Sequence, residues 1–221
     1  MVRKFNIGID IDLVCEQYNI TNYVIREDGK VDVDGDVNLY NNLDKLPLDF
    51  GVVKGHFNCS SNSLTSLEFA PVKVGGGFNC SSNKLTSLKG APEKVGGYFS
   101  CFNNNLTSLE FAPEKVGGYF SCSYNNLTSL EFAPDYVGGG FYCYNNNLTS
   151  LEFAPKEVGG YFYCYNNNLL DIEALDKCRI GGELDISDNP IFNLVKDIDI
   201  RDLDVFYMIK PLNGNKLSRE L

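Results

Sequence analysis

The strongest constraint on this chain is a sequence repeat. Between residues 57 and 168 the chain restarts every 21 residues, and each unit reads close to F-x-C-x-x-N-x-L-T-S-L-x-x-A-P-x-x-V-G-G-x. A unit this short cannot bury its apolar side chains alone, so the period predicts a solenoid in which each unit packs on the next. Near copies begin at Phe57, Phe78, Phe99, Phe120 and Phe141, and partial units begin at Val37, Phe162 and Leu184.

The F-x-C segment alternates apolar and polar residues, the two-residue period of a strand with one buried side. Stacked about 4.8 Å apart, these strands would form one parallel sheet with columns of Phe and Cys facing inward. The Ala-Pro and Val-Gly-Gly segments are interpreted as return turns, in which Pro fixes φ and Gly adopts conformations closed to other residues. The predicted fold class is a mainly-β, leucine-rich-repeat-like stack with one parallel β-sheet face and a helix-poor convex side.

An asparagine recurs five residues after each Phe, where the chain turns off the strand. A buried amide donates and accepts at once, so a stacked column would satisfy the backbone groups that lack sheet partners there. The sequence therefore predicts an asparagine ladder formed by Asn62, Asn83, Asn104, Asn125, Asn146 and Asn167.

The repeat resembles a known family. L-x-L-x-x-N-x-L is the pattern of leucine-rich repeats, and here Phe and Cys occupy the strand Leu positions, while residues 184–190, LDISDNP, fit the pattern most directly. The units are similar to leucine-rich-repeat proteins of tailed bacteriophages and some bacteria, which combine a Cys strand, Asn-Asn-Leu-Thr-Ser-Leu, Ala-Pro and Val-Gly-Gly. The resemblance covers about residues 15 to 195. It implies the fold, and it leaves function open because one fold hosts many activities.

Atypical segments flank the repeats and are expected to close the ends of the stack. Residues 1–36 are interpreted as an N-terminal cap with a short helix plus a hairpin that turns at Asp28-Gly29. Residues 37–189 form the predicted repeat solenoid. Residues 190–221 form the predicted C-terminal cap, whose apolar residues from Ile191 to Ile209 have partly helical spacing.

The cysteine column offers two chemical alternatives to a core role. A disulfide between adjacent units fits poorly, because parallel in-register side chains point the same way rather than across a torsion near 90°. Metal sites need ligands at short spacing, whereas each unit supplies one Cys and the chain has one His. We therefore expect reduced, buried cysteines and no metal or other cofactor. The segment that contains Asp32, Asp34 and Asp36 lacks the Gly and the Glu that a calcium loop requires. Nothing marks a nucleophile near His56, so we assign no catalytic residue and expect the protein not to be an enzyme.

The formal net charge of −10 disfavours nucleic acid and anionic membranes as partners. The sequence contains no apolar run of the length that a membrane helix needs and no signal-peptide core. We expect a cytoplasmic protein, acting in the bacterial host cytoplasm if it is phage-encoded.

The outward side of the predicted sheet varies most between units. Side chains just before Phe, between Phe and Cys, and just after Cys point away from the core. They change from small and polar, to densely aromatic, to acidic along the stack, and tyrosine is enriched where proteins bind. The predicted partner-binding residues are Tyr98, Phe102, Tyr119, Tyr142, Tyr144, Tyr161, Tyr163 and Tyr165, with Glu183 and Asp185 at the rim.

These features predict a non-enzymatic protein-binding module. The resemblance implies a phage-encoded inhibitor of a host or anti-phage defence protein. A glycan-binding protein, whose aromatic rows stack on sugar rings, and a virion structural protein are the alternatives. Tyrosine also pairs well across strands, so an alternative interpretation is that these tyrosines only stabilise the sheet. The identity of the partner and the oligomeric state stay open.

Overall fold

The computed structural model of the chain describes residues 10–191. The helical segment predicted in the C-terminal cap lies outside the described residues from residue 192 on. Within the described part, no helix combines the length and apolarity needed to cross a membrane. The described elements are α1 Ile11–Gln17, β1 Tyr23–Ile25, β2 Val31–Val33, β3 Val37–Asn38, β4 Phe50–Val53, β5 Phe57–Asn58, β6 Lys73–Val74, β7 Phe78–Asn79, β8 Lys94–Val95, β9 Phe99–Ser100, β10 Lys115–Val116, β11 Phe120–Ser121, β12 Tyr136–Val137, β13 Phe141–Tyr142, β14 Glu157–Val158, β15 Phe162–Tyr163, a 3-10 helix Glu173–Lys177, β16 Arg179–Ile180 and β17 Leu184–Asp185.

Residues 10–191 form a helix-poor β-solenoid with two sheets. Eight strands, β3 and the odd-numbered strands from β5 to β17, form a parallel sheet that we call the face sheet. The other nine strands form the back sheet, which is parallel except for the antiparallel pair of β1 and β2. Each coil thus supplies one strand to each sheet. The repeat solenoid predicted from the period is confirmed.

The back sheet differs from the prediction of a single sheet face. The Val of each Val-Gly-Gly segment and the residue before it form a strand that pairs in register with the next coil, as Val116 does with Val95 and Val137. The glycines that follow were predicted to adopt unusual φ values, and that reason is wrong, because none of them has positive φ. They are required by close approach instead: a Cβ at Gly96 would lie 2.2 Å from the carbonyl oxygen of Gly75.

The core lies between the two sheets as columns of identical side chains. From Phe57 to Leu169, the Phe and Cys of each F-x-C strand and the leucines of the L-T-S-L segments are fully buried. The register pairs each Phe with its equivalent in the next coil, and the rings of Phe99 and Phe120 stack with centroids 5.4 Å apart. Each buried Phe contributes about 1.5–3 kcal/mol of transfer free energy, and each ring pair adds roughly 0.5–1.5 kcal/mol.

The asparagine ladder is confirmed. Each amide oxygen accepts the backbone N–H of a Leu in the preceding coil, as Asn125 Oδ1 does from Leu106 at 2.9 Å. The Nδ2 group of Asn125 donates to the carbonyl oxygens of Cys101 at 3.1 Å and Cys122 at 3.0 Å. The same pattern recurs in every coil from Asn62 to Asn189, so one side chain ties each coil to the one before it.

The N-terminal part covers the first coil. Asp10 caps α1 by accepting the backbone N–H of Leu13 at 3.2 Å, and β1 turns back on β2 through the segment that contains Gly29. Strand β2 then pairs in parallel with β4, so the back sheet continues into the region before the first complete repeat.

Candidate functional site

The candidate site is the outward side of the face sheet. Every predicted site residue lies beside the Phe or Cys of its coil, or beside Leu184 or Ile186 in the last coil, all of which point into the core. The short strands of the face sheet, stacked in register, therefore place equivalent residues above one another. The coils that contain Phe99 and Phe162 are three steps of about 4.8 Å apart, so the aromatic part of the surface is roughly 14 Å long.

The aromatic side chains form one continuous network. Tyr98 and Tyr119 stack with ring centroids 4.8 Å apart and planes 3° from parallel, and Tyr144 and Tyr165 stack at 4.4 Å and 7°. Further ring contacts, with centroids 5.5 to 6.5 Å apart, join Tyr119 to Tyr142, Tyr142 to Tyr163, and Tyr163 to both Tyr161 and Tyr165. Seven of the eight predicted aromatic residues thus form a single surface layer, which we call the aromatic face, and Phe102 joins it through Tyr124.

Small residues at defined positions make room for the rings. A Cβ at Gly140 would lie 2.4 Å from the hydroxyl oxygen of Tyr142, and a Cβ at Gly77 would lie 2.2 Å from the ring of Tyr98. At the position just before the strand Phe, some coils have Gly where others have Tyr. These glycines do not interrupt the layer, because a neighbouring ring lies over each of them. The aromatic face is packed before any partner arrives, which lowers the ordering entropy that binding must offset.

Two members of the network are not among the predicted residues. Tyr124 contacts Phe102 at 5.1 Å and Tyr144 at 5.7 Å, both edge to face, and so links Phe102 to the rest. It lies two residues after Cys122 with φ +54°, where the other coils have Ser, Asn or Asp. A tyrosine in that left-handed position is the signal that could have identified it, since bulky residues are uncommon there. His56 also stacks on Tyr98, at 5.8 Å, across Gly77.

The last described coil makes one end of the aromatic face acidic. Glu183 and Asp185, both half-buried, follow Tyr161 and Tyr163 in their columns. Burial and then the charge of Glu183 raise the pKa of Tyr163, and burial, followed by Tyr144, Tyr124 and Asp185, raises the pKa of Tyr165 to about 12. These hydroxyls keep their protons at neutral pH, so each can donate a hydrogen bond to a partner.

The cysteine column has the properties of core residues. All eight cysteines are buried and free, and column thiols such as Cys80 donate weak hydrogen bonds to carbonyls of the next coil. Burial raises the pKa of Cys59 and of Cys101 to about 12. The thiolate is the reactive form, so these thiols are poor nucleophiles and poor metal ligands at neutral pH.

The alternating aspartates near the N-terminus contact backbone and lysine groups. Asp32 Oδ1 accepts the N–H of Val52 at 2.7 Å, Asp36 Oδ1 accepts that of His56 at 2.7 Å, and Asp34 forms an ion pair with Lys54. Their carboxylates thus tie the first coil to the second. Within residues 10–191, no group of three or more His, Cys, Asp or Glu side chains is placed to hold a metal ion.

No protein-family model matches the chain, and no curated protein matches its sequence.

Proposed function

We propose that this protein is a non-enzymatic binding module that holds a protein partner on its aromatic face. The observation that carries the proposal is the continuous layer of nine Tyr and Phe rings, joined by His56, on one side of the face sheet. Tyrosine is enriched at binding hot spots because it buries a large rigid area and keeps a hydroxyl for hydrogen bonds. A ring layer about 14 Å long is the right size for the centre of a standard protein interface, which buries roughly 800 Å² on each partner.

The ring geometry favours a protein over a glycan. A sugar ring binds to the open flat side of an aromatic ring. Here Tyr98 covers Tyr119, and Tyr144 covers Tyr165, within 5 Å. The exposed fraction of these rings is thus largely edge and hydroxyl, which suits the mixed polar and apolar surface of a protein.

The acidic rim adds a charge requirement. Glu183 and Asp185 border the aromatic face at one end, and the chain has a net charge of −10. The partner is therefore expected to carry basic residues opposite that end, which would speed association and make it salt-dependent.

The resemblance to bacteriophage leucine-rich-repeat proteins supports a more specific target. We propose that the partner is a bacterial host or anti-phage defence protein in the cytoplasm, which the module inhibits by occupying its surface.

The experiment is affinity capture from bacterial lysate on the immobilised protein, followed by measurement of Kd with the purified partner. Tyr144→Ala and Tyr163→Ala are each expected to weaken binding by about 2 kcal/mol or more, roughly thirtyfold. Glu183→Gln should mainly lower the association rate and the salt dependence.

The matched control is Tyr136→Ala, because Tyr136 is an exposed tyrosine on β12 of the back sheet. Each variant also needs a denaturation curve, since a tyrosine that only stabilises the sheet would weaken binding by loosening the stack. Equal loss for Tyr136→Ala, or losses that follow the loss of stability, would refute the proposal. A glycan bound with the same dependence on Tyr144 and Tyr163 would assign the face to carbohydrate.

A further inference from the structure

A second set of aromatic residues lies outside the aromatic face, just before Ala-Pro in four of the five near-copy units. We call Phe69, Phe111, Phe132 and Phe153 the phenylalanine ridge; their exposed fractions are 38% to 54%. Each occupies the third position of a tight turn, closed for example by the N–H of Ala112 donating to the carbonyl of Leu109 at 2.9 Å. Their φ values lie between 65° and 74°.

This conformation makes the ridge unusual. The third turn position with positive φ favours Gly or Asn, and a bulky residue there is an outlier. About half of each of these residues stays exposed, so burial in its own chain accounts for only part of the preference for Phe at four such positions. Backbone outliers of this kind are concentrated at binding sites.

One coil has a gap in the ridge. The equivalent residue is Gly90, with φ +92°, and it lies between Phe69 and Phe111. The two phenylalanines are two coils apart, about 9.6 Å along the stack. Phe69 and Phe111 line a groove with a volume of about 800 Å³, and Gly90 and Ala91 also line it. A planar cation midway between these two coils would be about 4.8 Å from each along the stack, inside the roughly 6 Å range of a cation–π contact.

The rim of this groove is acidic. Its charged lining residues are Lys30, Asp49, Glu68, Glu93, Lys94 and Glu114. Lys30 forms an ion pair with Asp49 at 2.7 Å. The other four place three carboxylates against one ammonium group, so the rim attracts a cation.

We propose that the groove between Phe69 and Phe111 is a second binding site that takes an arginine side chain of a protein partner. The guanidinium group is planar, stacks on aromatic rings and is weakly hydrated, so it fits between two phenyl rings better than an ammonium group does. Glu68, Glu93 and Glu114 are the carboxylates that its N–H groups would meet. The site adjoins the back sheet, through Lys94 of β8, and is independent of the aromatic face.

The test is an NMR titration of the isotope-labelled full chain with acetyl-Gly-Arg-Gly-amide. The amide signals of Gly90 and Ala91 are expected to shift saturably, with a Kd in roughly the millimolar range for a single side chain. The neutral citrulline peptide should bind at least about fivefold more weakly, because it keeps the planar shape but loses the charge. The lysine and leucine peptides should also be weaker.

Matched variants locate the site. Phe111→Ala should weaken arginine binding roughly three- to tenfold, whereas Phe153→Ala, the same change at an equivalent residue outside the groove, should leave it unchanged. Gly90→Phe should abolish binding by filling the gap. A Cβ at Gly90 would lie 2.6 Å from the carbonyl of Leu67, so the other amide signals are used to check that the Gly90→Phe variant folds. If that variant does not fold, the comparison of Phe111→Ala with Phe153→Ala decides whether the groove is the site.

Several results would overturn the assignment. They are the lack of a saturable shift, citrulline or leucine binding as tightly as arginine, lysine binding as tightly as arginine, or equal losses in Phe111→Ala and Phe153→Ala. Tyr144→Ala should leave arginine binding intact, so a failure here is distinct from a failure of the aromatic face.

Discussion

Replacement of Asn125 by Ala isolates the contribution of one member of the asparagine ladder. The side chain is 8% exposed, and it forms hydrogen bonds in its own coil and to the preceding one. The backbone N–H of Leu106, which donates to Asn125 Oδ1, would lose its acceptor in a buried region. The carbonyls of Cys101 and Cys122 would each keep a second amide donor, from Asn104 and Asn146 respectively.

The magnitude follows from that difference. One buried donor left without an acceptor costs about 1–3 kcal/mol, whereas carbonyls that keep a donor lose little. We therefore expect Asn125→Ala to lower the free energy of unfolding by about 2 kcal/mol, equivalent to roughly 4–8 °C in Tm for a domain of this size.

Chemical denaturation followed by circular dichroism measures the effect, with Asn126→Ala as the control. Asn126 is the next residue in the same turn, has an exposed side chain, and joins the ladder only through its backbone N–H, which donates to the carbonyl of Leu106. A surface change of this kind stays within about 0.5 kcal/mol. Equal midpoints for the two variants would show that the ladder does not hold the coils together.

Three further predictions concern buried thiols and hydroxyls. Native protein should leave its eight thiols unreactive toward a disulfide reagent at about pH 8, and denaturant without reductant should expose all eight; fewer would indicate disulfides. Because burial raises the pKa of Cys101 from 9.0 to about 12, the unfolded chain loses a proton that the folded chain keeps, so stability should fall as pH rises from 9 toward 12. Each such thiol contributes up to about 1.4 kcal/mol per pH unit, and Cys101→Ala should show a shallower decline. Ser123 Oγ is buried without a hydrogen-bond partner among the described residues, so Ser123→Ala should stabilise the folded protein by up to about 1 kcal/mol. Ser100→Ala should destabilise it, because the change removes a 2.7 Å hydrogen bond to Ser81. The opposite order of the two variants in denaturation curves would contradict this.

The sequence was most informative where one periodicity determines both pairing and burial. The 21-residue period places Phe99 above Phe78 and below Phe120, and the alternation within F-x-C decides which side chains are buried. The back sheet was missed because each of its repeat strands offers a single buried residue, such as Val95 of β8, so no apolar alternation shows in the sequence. The glycines beside them resemble turn residues in sequence, and only the 2.2 Å approach of a Cβ at Gly96 to Gly75 shows why Gly is needed.

The same limit applies to the candidate sites. Residues beside Phe and Cys could be assigned to the aromatic face by counting, since strand geometry fixes their direction. Tyr124 could not, because its side chain reaches the face through a left-handed backbone conformation that strand alternation does not describe. The 21-residue register shows Gly90 where the neighbouring units have Phe69 and Phe111, but the groove and its acidic rim become visible only in the stacked coils.

The equivalence of successive coils has a consequence for how such a gene can change. Val95 and Val116 occupy the same position in adjacent coils and make the same contacts above and below. Unequal recombination between two repeats that removes or adds one whole unit therefore joins surfaces that already fit, and it alters the length of the protein by one step of about 4.8 Å. A deletion of any other length keeps the later residues in their columns only if a turn absorbs the difference, as happens in the 22-residue step from Phe162 to Leu184. Lineages of this chain are thus expected to differ by whole units, and each gain or loss would lengthen or shorten the surface offered to a partner while leaving the ends unchanged.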